Sequence, residues 1–210
     1  MPKAKFDQII FIRRLVLGTI CNVEIKNRDG SMAGNCLNGL RALTHFLATQ
    51  GKMRDQVAFY QGRQFLASGV KRKGGGIIEV CVDFPEFLKG REGQPDHVKL
   101  GNEHLVYWTL RRSAEKPASY IPKLNEEYIY FYEETRIGDD RVGHLYANVY
   151  EAGVGRTGSC GSGAVAAAFS ANQKYGGCFW AVHFPGGALS VRVDTLDNRV
   201  ILGGPTERIS

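Results

Sequence analysis

Tyr150-Glu151-Ala152-Gly153-Val154-Gly155-Arg156-Thr157-Gly158-Ser159-Cys160-Gly161-Ser162-Gly163-Ala164 is the stretch on which the reading of this chain turns. A glycine-rich loop, Gly153 to Ser159, delivers Cys160 to the start of Ala164 to Gln173, whose composition favours a helix. The same plan occurs earlier. Cys36-Leu37-Asn38-Gly39 lines up with Cys160-Gly161-Ser162-Gly163, each reading cysteine, spacer, small polar residue, glycine. After the first of these, Leu40, Leu43, Phe46 and Leu47 recur at helical spacing and predict an amphipathic helix over Asn38 to Ala48. The repeat is short and weak. It suggests two halves, each placing one cysteine at the N-terminus of a helix.

A helix N-terminus carries unpaired N–H groups and about half a positive charge, which favours a thiolate and cradles a carboxylate. Two such ends facing one another define a pocket for inversion at carbon. One thiolate removes the α-proton of an amino acid, and the opposing thiol returns a proton to the other face. Backbone amides beginning at Leu37-Asn38 and Gly161-Ser162 are placed to hold the α-carboxylate. Most cysteines are inert packing. That reading suits Cys21, Cys81 and Cys178, which lie in strand-like apolar or aromatic surroundings, but the duplicated glycine-containing context sets Cys36 and Cys160 apart.

Outward from the two cysteine motifs the signals are mostly β. Phe6 to Leu17, Thr19 to Ile25, Gln56 to Tyr60, Arg63 to Val70 and Gly76 to Val82 read as strands before the first proline break at Asp83-Phe84-Pro85. A domain boundary is placed there, giving an N-terminal half over 1–84 and a C-terminal half over 85–210. In the second half Val98 to Leu110, Tyr128 to Glu133, Val142 to Tyr150, Ala181 to Phe184, Ala188 to Val193 and Arg199 to Leu202 read likewise. The chain of 210 residues, 43% hydrophobic and 23% charged, has the composition of a globular protein. Its net charge of +6 is dispersed in short clusters, Arg13-Arg14, Lys71-Arg72-Lys73 and Arg111-Arg112, without the aromatic interleaving of single-strand binders, so no nucleic-acid partner is expected. No apolar run approaches the roughly 20 residues that span a bilayer, and no signal-peptide cleavage pattern is present, so no membrane partner is expected and the cytosol is the expected compartment. Five cysteines without C-x-x-C spacing argue against a disulfide framework or structural zinc. No metal or cofactor motif is recognisable.

The chain resembles the cofactor-independent diaminopimelate epimerases, relatives of the proline racemases. Asn27-Arg28-Asp29-Gly30-Ser31, Cys36 to Arg41, Gly101-Asn102-Glu103-His104 and above all Tyr150 to Ala164 carry the likeness, with Pro185-Gly186-Gly187 and Gly203-Gly204-Pro205 as C-terminal motifs. The resemblance implies an α/β fold of two pseudo-symmetric domains, each a mixed, mostly antiparallel sheet wrapped around a central helix, with the site between them. It implies a cofactor-independent amino-acid epimerase linked to lysine biosynthesis. Cys36 and Cys160 would be its acid/base pair, with His104 and Glu151 nearby to tune the thiols and Gln8, Asn27, Asn102 and Asn125 contacting substrate. Its partner would be a small amino acid, and a homodimer is compatible with it. His45, His97, His144 and His183 match none of the motifs.

Several positions depart from the family pattern. The chain starts near Phe6-Asp7-Gln8, so the leading His-Gly-x-Gly-Asn-Asp-Phe segment is expected to be missing. Leu37 stands for a glycine, Glu103 for a proline and Arg156 for a glutamate, while Ala152 replaces an arginine that pairs with a substrate carboxylate. Losing that bidentate partner weakens the case for a dicarboxylic substrate. The alternatives are a racemase of another amino acid and a catalytically inactive binding or assembly homologue.

Overall fold

The computed structural model describes residues 7–71, 78–110 and 116–206. Phe6, Gly76 and most of the loop from Lys71 to Gly75 lie outside the described residues, as do Arg72, Lys73, Arg111 and Arg112 of the basic clusters. The chain opens with an antiparallel pair, β1 (Gln8–Val16) and β2 (Ile20–Asn27). Helix α1 (Leu37–Thr49) then crosses over to β3 (Gln56–Gln61), which runs parallel to β2. β4 (Gln64–Lys71) and β5 (Ile78–Asp83) follow antiparallel. The alternation of Cys21, Val23 and Ile25 buries one face of β2, and the predicted stripe of α1 is buried through Leu40 and Leu47, with Leu37, Arg41 and Thr44 beside them.

The second half runs β6 (Glu86–Leu88), β7 (Asp96–Leu100), β8 (Asn102–Trp108), β9 (Asn125–Ile137), β10 (Asp140–Glu151), β11 (Gly155–Thr157), α2 (Gly161–Tyr175), β12 (Phe179–Phe184), β13 (Gly187–Asp194) and β14 (Arg199–Gly203). From β9 on it repeats the pairing pattern of the first half. β9 and β10 are antiparallel, α2 crosses to a parallel β12, and β13 and β14 return antiparallel. The repeat holds in detail. Cys36 and Cys160 stand 124 residues apart (from 36 to 160), and the antiparallel bridge of Lys26 with Met32 recurs at the same spacing as the pairing of Tyr150 with Arg156.

β5 and β14, the equivalent last strands of the two repeats, pair antiparallel, Val82 opposite Val200. This joins everything except β11 into one hydrogen-bonded path, β1-β2-β3-β4-β5-β14-β13-β12-β10-β9-β8-β7-β6. Both helices pack on this mixed sheet, and they meet each other at their N-terminal ends. The α/β class and the mostly antiparallel sheets around central helices are as the sequence implied.

Three sequence readings need correction. The stretch expected as one strand from Val98 to Leu110 is a hairpin, because Gly101 adopts φ +90° and turns β7 into β8. The glycine-rich loop contains a short strand, β11. Finally, α2 begins at Gly161 rather than Ala164; its glycines and Ser162 are poor helix formers that packing holds in the helix. No helix among the described residues is long and apolar enough to cross a membrane.

Candidate active site

The two cysteines are the N-caps of the two helices, Cys36 of α1 and Cys160 of α2. Both line one cleft, together with Gln8, Leu37, Asn38, Asn102, Glu151, Gly161 and Ser162. The expected pair and the expected amide cradle are therefore brought to one place. The helix ends touch. A Cβ on Gly161 would lie 2.7 Å from Asn38 Oδ1 and 3.0 Å from Asn38 N, so only glycine lets the second helix start against the first. Leu37, at the equivalent position of α1, is 1% exposed and belongs to the core. Asn35 Oδ1 accepts from the Cys36 N–H at 2.8 Å and fixes the approach to α1.

The electrostatics correct one expectation. The helix N-termini do not leave the thiols acidic, because burial outweighs them. Cys36 is pushed up to about 11, chiefly by burial, with the charges of Glu151 and Asp7 adding to the effect and the Gly39 amide opposing it. Cys160, 5% exposed, is raised well above the ordinary thiol value by burial and then by Glu151 and Glu127. Bonds from the Gly163 N–H, at 3.4 Å to Cys160 Sγ, and with Ser162 Oγ, at 3.3 Å, act in the other direction. Glu151 is itself raised by burial, opposed by hydrogen bonds from Thr157 Oγ1, 2.6 Å from Oε1, and from the Cys160 side chain.

His104 does not line this cleft. It is fully enclosed, with Nδ1 2.7 Å from Oε1 of the equally enclosed Glu127, and Glu127 Oε1 lies 2.8 Å from where a Cβ on Gly163 would be. Asn27 and Asn125 line an adjoining compartment that shares Asp7, Gln8, Asn102 and Glu151 with the cysteine cleft. Gln8 Nε2 donates to Asn27 Oδ1 at 2.9 Å, Asn102 Nδ2 to the Asn35 carbonyl at 3.0 Å, and Asn125 Oδ1 accepts from the Ala152 N–H at 2.9 Å. Ala152, Glu103 and Lys123 also border this compartment, whereas Arg156 borders neither space.

Sequence reading missed Glu127, Asp7, Asn35, Ser159 and Lys123. Glu127 left a trace, two consecutive glutamates at the head of the aromatic strand Tyr128 to Tyr132. The others sit in segments that connect strands and helices, where polar residues are unremarkable. Among the described residues no group of three or more histidine, cysteine, aspartate or glutamate side chains is arranged to hold a metal ion.

A predicted epimerase from Pseudomonas aeruginosa superposes with a TM-score of 0.68 at 13% identity, covering 94% of this chain and 80% of that one. A PhzF-family phenazine biosynthesis protein from Bacillus anthracis superposes with a TM-score of 0.64, also at 13%, over 95% and 81%. The chain thus shares the fold of these proteins. No family model matches the chain. Among curated proteins it is 30% identical over 208 residues to the diaminopimelate epimerase of Xanthomonas campestris, covering 87% of this chain and 72% of that one. It is 31% identical to that of Thermobifida fusca, over 87% and 69%. Against that of Acidothermus cellulolyticus it is 30% identical over 87% of its own length but spans only 63% of the relative. This chain belongs to the diaminopimelate epimerase family.

Proposed function

We propose that this protein is a cofactor-independent amino-acid epimerase in which Cys36 and Cys160 exchange the α-proton from opposite faces. The observation that carries this reading is the seating of both cysteines, as N-caps of equivalent helices, in one cleft. The backbone amides at Leu37-Asn38 and Gly161-Ser162 hold the α-carboxylate and stabilise charge as the carbanion develops. Asn38 Oδ1, buried at the seam with no hydrogen-bond partner among the described residues, offers an acceptor for the α-ammonium.

Burial holds both thiols protonated, so the base has to be generated. Glu151 is the acceptor. Burial makes its carboxylate more basic than usual and Cys160 hydrogen-bonds to it, so a proton passes from Cys160 to Glu151 and leaves a thiolate. That thiolate takes the α-proton while the Cys36 thiol delivers its own to the other face. The stereocentre is inverted and the two sulfurs exchange protonation states. His104 and Glu127 hold the second helix start from behind.

Incubation with a panel of amino acids in heavy water, diaminopimelate stereoisomers included, tests the reading by deuterium uptake at Cα. Wild type is expected to exchange at least one member. Cys36→Ala and Cys160→Ala should each lower the rate about 100-fold or more, the range for loss of a general acid or base. Absence of exchange across the panel, or exchange that survives both substitutions, overturns it. Ala152 specifically favours a second reading, a racemase of a different amino acid, and the identity of the exchanging panel member decides between the two.

A further inference from the structure

The last strand of each half runs out over the helix of the other half. Beyond β5, Phe84 and Phe87 meet Phe169 of α2 edge to face, with ring centroids 5.0 and 5.8 Å apart. Beyond β14, Pro205 and Thr206 are held by α1. Arg41 Nη2 donates to the Pro205 carbonyl at 3.2 Å, and His45 Nδ1 shares a hydrogen bond with Thr206 Oγ1. The 124-residue spacing of the repeat (from 36 to 160) sets His45 on Phe169 and Arg41 on Val165. Val165 is fully enclosed, so an apolar side chain serves the fold at this place in the second copy. Arg41 is enclosed too, 5% exposed, yet its Nε and Nη1 have no hydrogen-bond partner among the described residues. Burying a charge with part of its donors unanswered is a poor way to stabilise a fold, which points to a role other than packing.

What Arg41 holds is the segment that joins the two helix starts. Leu202, near the end of β14, sits against the head of α2, its Cδ2 3.0 Å from where a Cβ on Gly161 would be. Three residues on, Pro205 is bonded to Arg41 in the second turn of α1. Gly204 between them leaves no slack, since a Cβ there would lie 2.6 Å from Leu189 Cδ2 and 3.3 Å from Arg41 Nη1. On the reading that both thiols flank one α-carbon, we infer that Arg41 is a positioning residue: through the Pro205 carbonyl it fixes the head of α1 against the head of α2 and so sets the separation of the Cys36 and Cys160 sulfurs. It does not line the cysteine cleft and acts only through the placement of its helix.

Two thiols report their own separation. Bis-methanethiosulfonate reagents of graded span are applied to the full chain at about pH 9, where part of each thiol is ionised, and peptide mapping scores the cross-link between Cys36 and Cys160. Wild type is expected to be joined best by one span. Arg41→Met should spread the yield over several spans while leaving the urea midpoint unchanged or raised, because removing a buried charge offsets the lost bond. Arg41→Lys should keep the wild-type span, and Arg41→Gln carries the test if the methionine variant does not fold. In the deuterium assay the same change should lower kcat roughly tenfold to a hundredfold at an unchanged KM, the scale of a misplacement of about 1 Å. A merely structural role would lower the urea midpoint and leave the span preference as it is. That result, or a wild type joined by every span alike or by none, overturns the assignment. The two readings fail separately: a span preference that depends on Arg41 without any exchange leaves this assignment standing and removes the epimerase, whereas exchange at the wild-type kcat in Arg41→Met does the reverse.

Discussion

Cys36 and Cys160 occupy the same place in two copies of one unit, the N-cap of a helix that crosses between parallel strands, yet their surroundings differ. Helix α1 is amphipathic, burying five of its residues, and its cap cysteine is half-buried with no side-chain capping bond. Helix α2 is enclosed on every side from Gly161 to Ala171, its cysteine caps through Gly163, and a carboxylate and the enclosed, hydrogen-bonded His104–Glu127 pair accompany it. A duplicated backbone thus provides two thiols on one plan. What packs around each helix decides how readily each gives up its proton.

The strongest way to break the comparison is to remove the feature that belongs to the second copy. His104→Ala leaves the Glu127 carboxylate without its partner in a fully enclosed site, which costs on the order of 3–5 kcal/mol. Urea unfolding should show that loss, and adding Glu127→Ala should recover much of it. A single-variant loss below about 1 kcal/mol would mean that water reaches the pair.

A milder contrast uses equivalent glycines. A Cβ on Gly163 would lie 2.8 Å from Glu127 Oε1 and 3.3 Å from both Glu127 Cγ and Cys160 Cβ, atoms of an enclosed pair with nowhere to move. On Gly39 it would meet Ile10 Cδ1 at 2.6 Å and Cys36 Sγ at 2.8 Å, the ends of half-buried side chains that can turn aside. Gly163→Ala should therefore cost about 1–3 kcal/mol, the range for overpacking, and Gly39→Ala less than about 1 kcal/mol. Equal losses would show that the two helix starts are packed alike.

The sequence made the repeated unit legible because the cysteine motif combines rare residues at fixed spacing with a change from strand to helix periodicity. Leu40 and Leu47 marked the inner face of α1 for the same reason. The pairing of β5 with β14 left no such mark, since strands of similar alternation fit many neighbours and only the fold chooses between them. The site residues divide the same way. Cys36, Cys160, Glu151 and the amide cradle came together as the motifs implied, while His104 belongs beneath the cleft, because its partner Glu127 lies on a neighbouring strand that no local pattern connects to it. Thiol basicity was not legible at all. Helix polarity can be read from sequence, but the burial that outweighs it depends on the whole assembled sheet.

The gentlest test leaves the fold intact and reads that balance directly. Alkylation by iodoacetamide proceeds through the thiolate, so its rate follows the ionised fraction and the access of each sulfur. With Cys36 pushed up to about 11, its rate should climb roughly tenfold per pH unit from pH 7 to pH 10 without levelling. Cys160, more deeply buried and also raised, should react more slowly at every pH, which peptide mapping by mass spectrometry resolves site by site. Glu151→Gln removes a negative charge that acts on both sulfurs and should shift both curves to lower pH. A Cys36 curve that levels near pH 8 to 9, where an ordinary thiol titrates, would mean that the helix N-terminus offsets burial after all. The sequence-level expectation of an acidic thiol would regain its force only if levelling came below that range, and curves that coincide for the two cysteines would erase the contrast between the two copies.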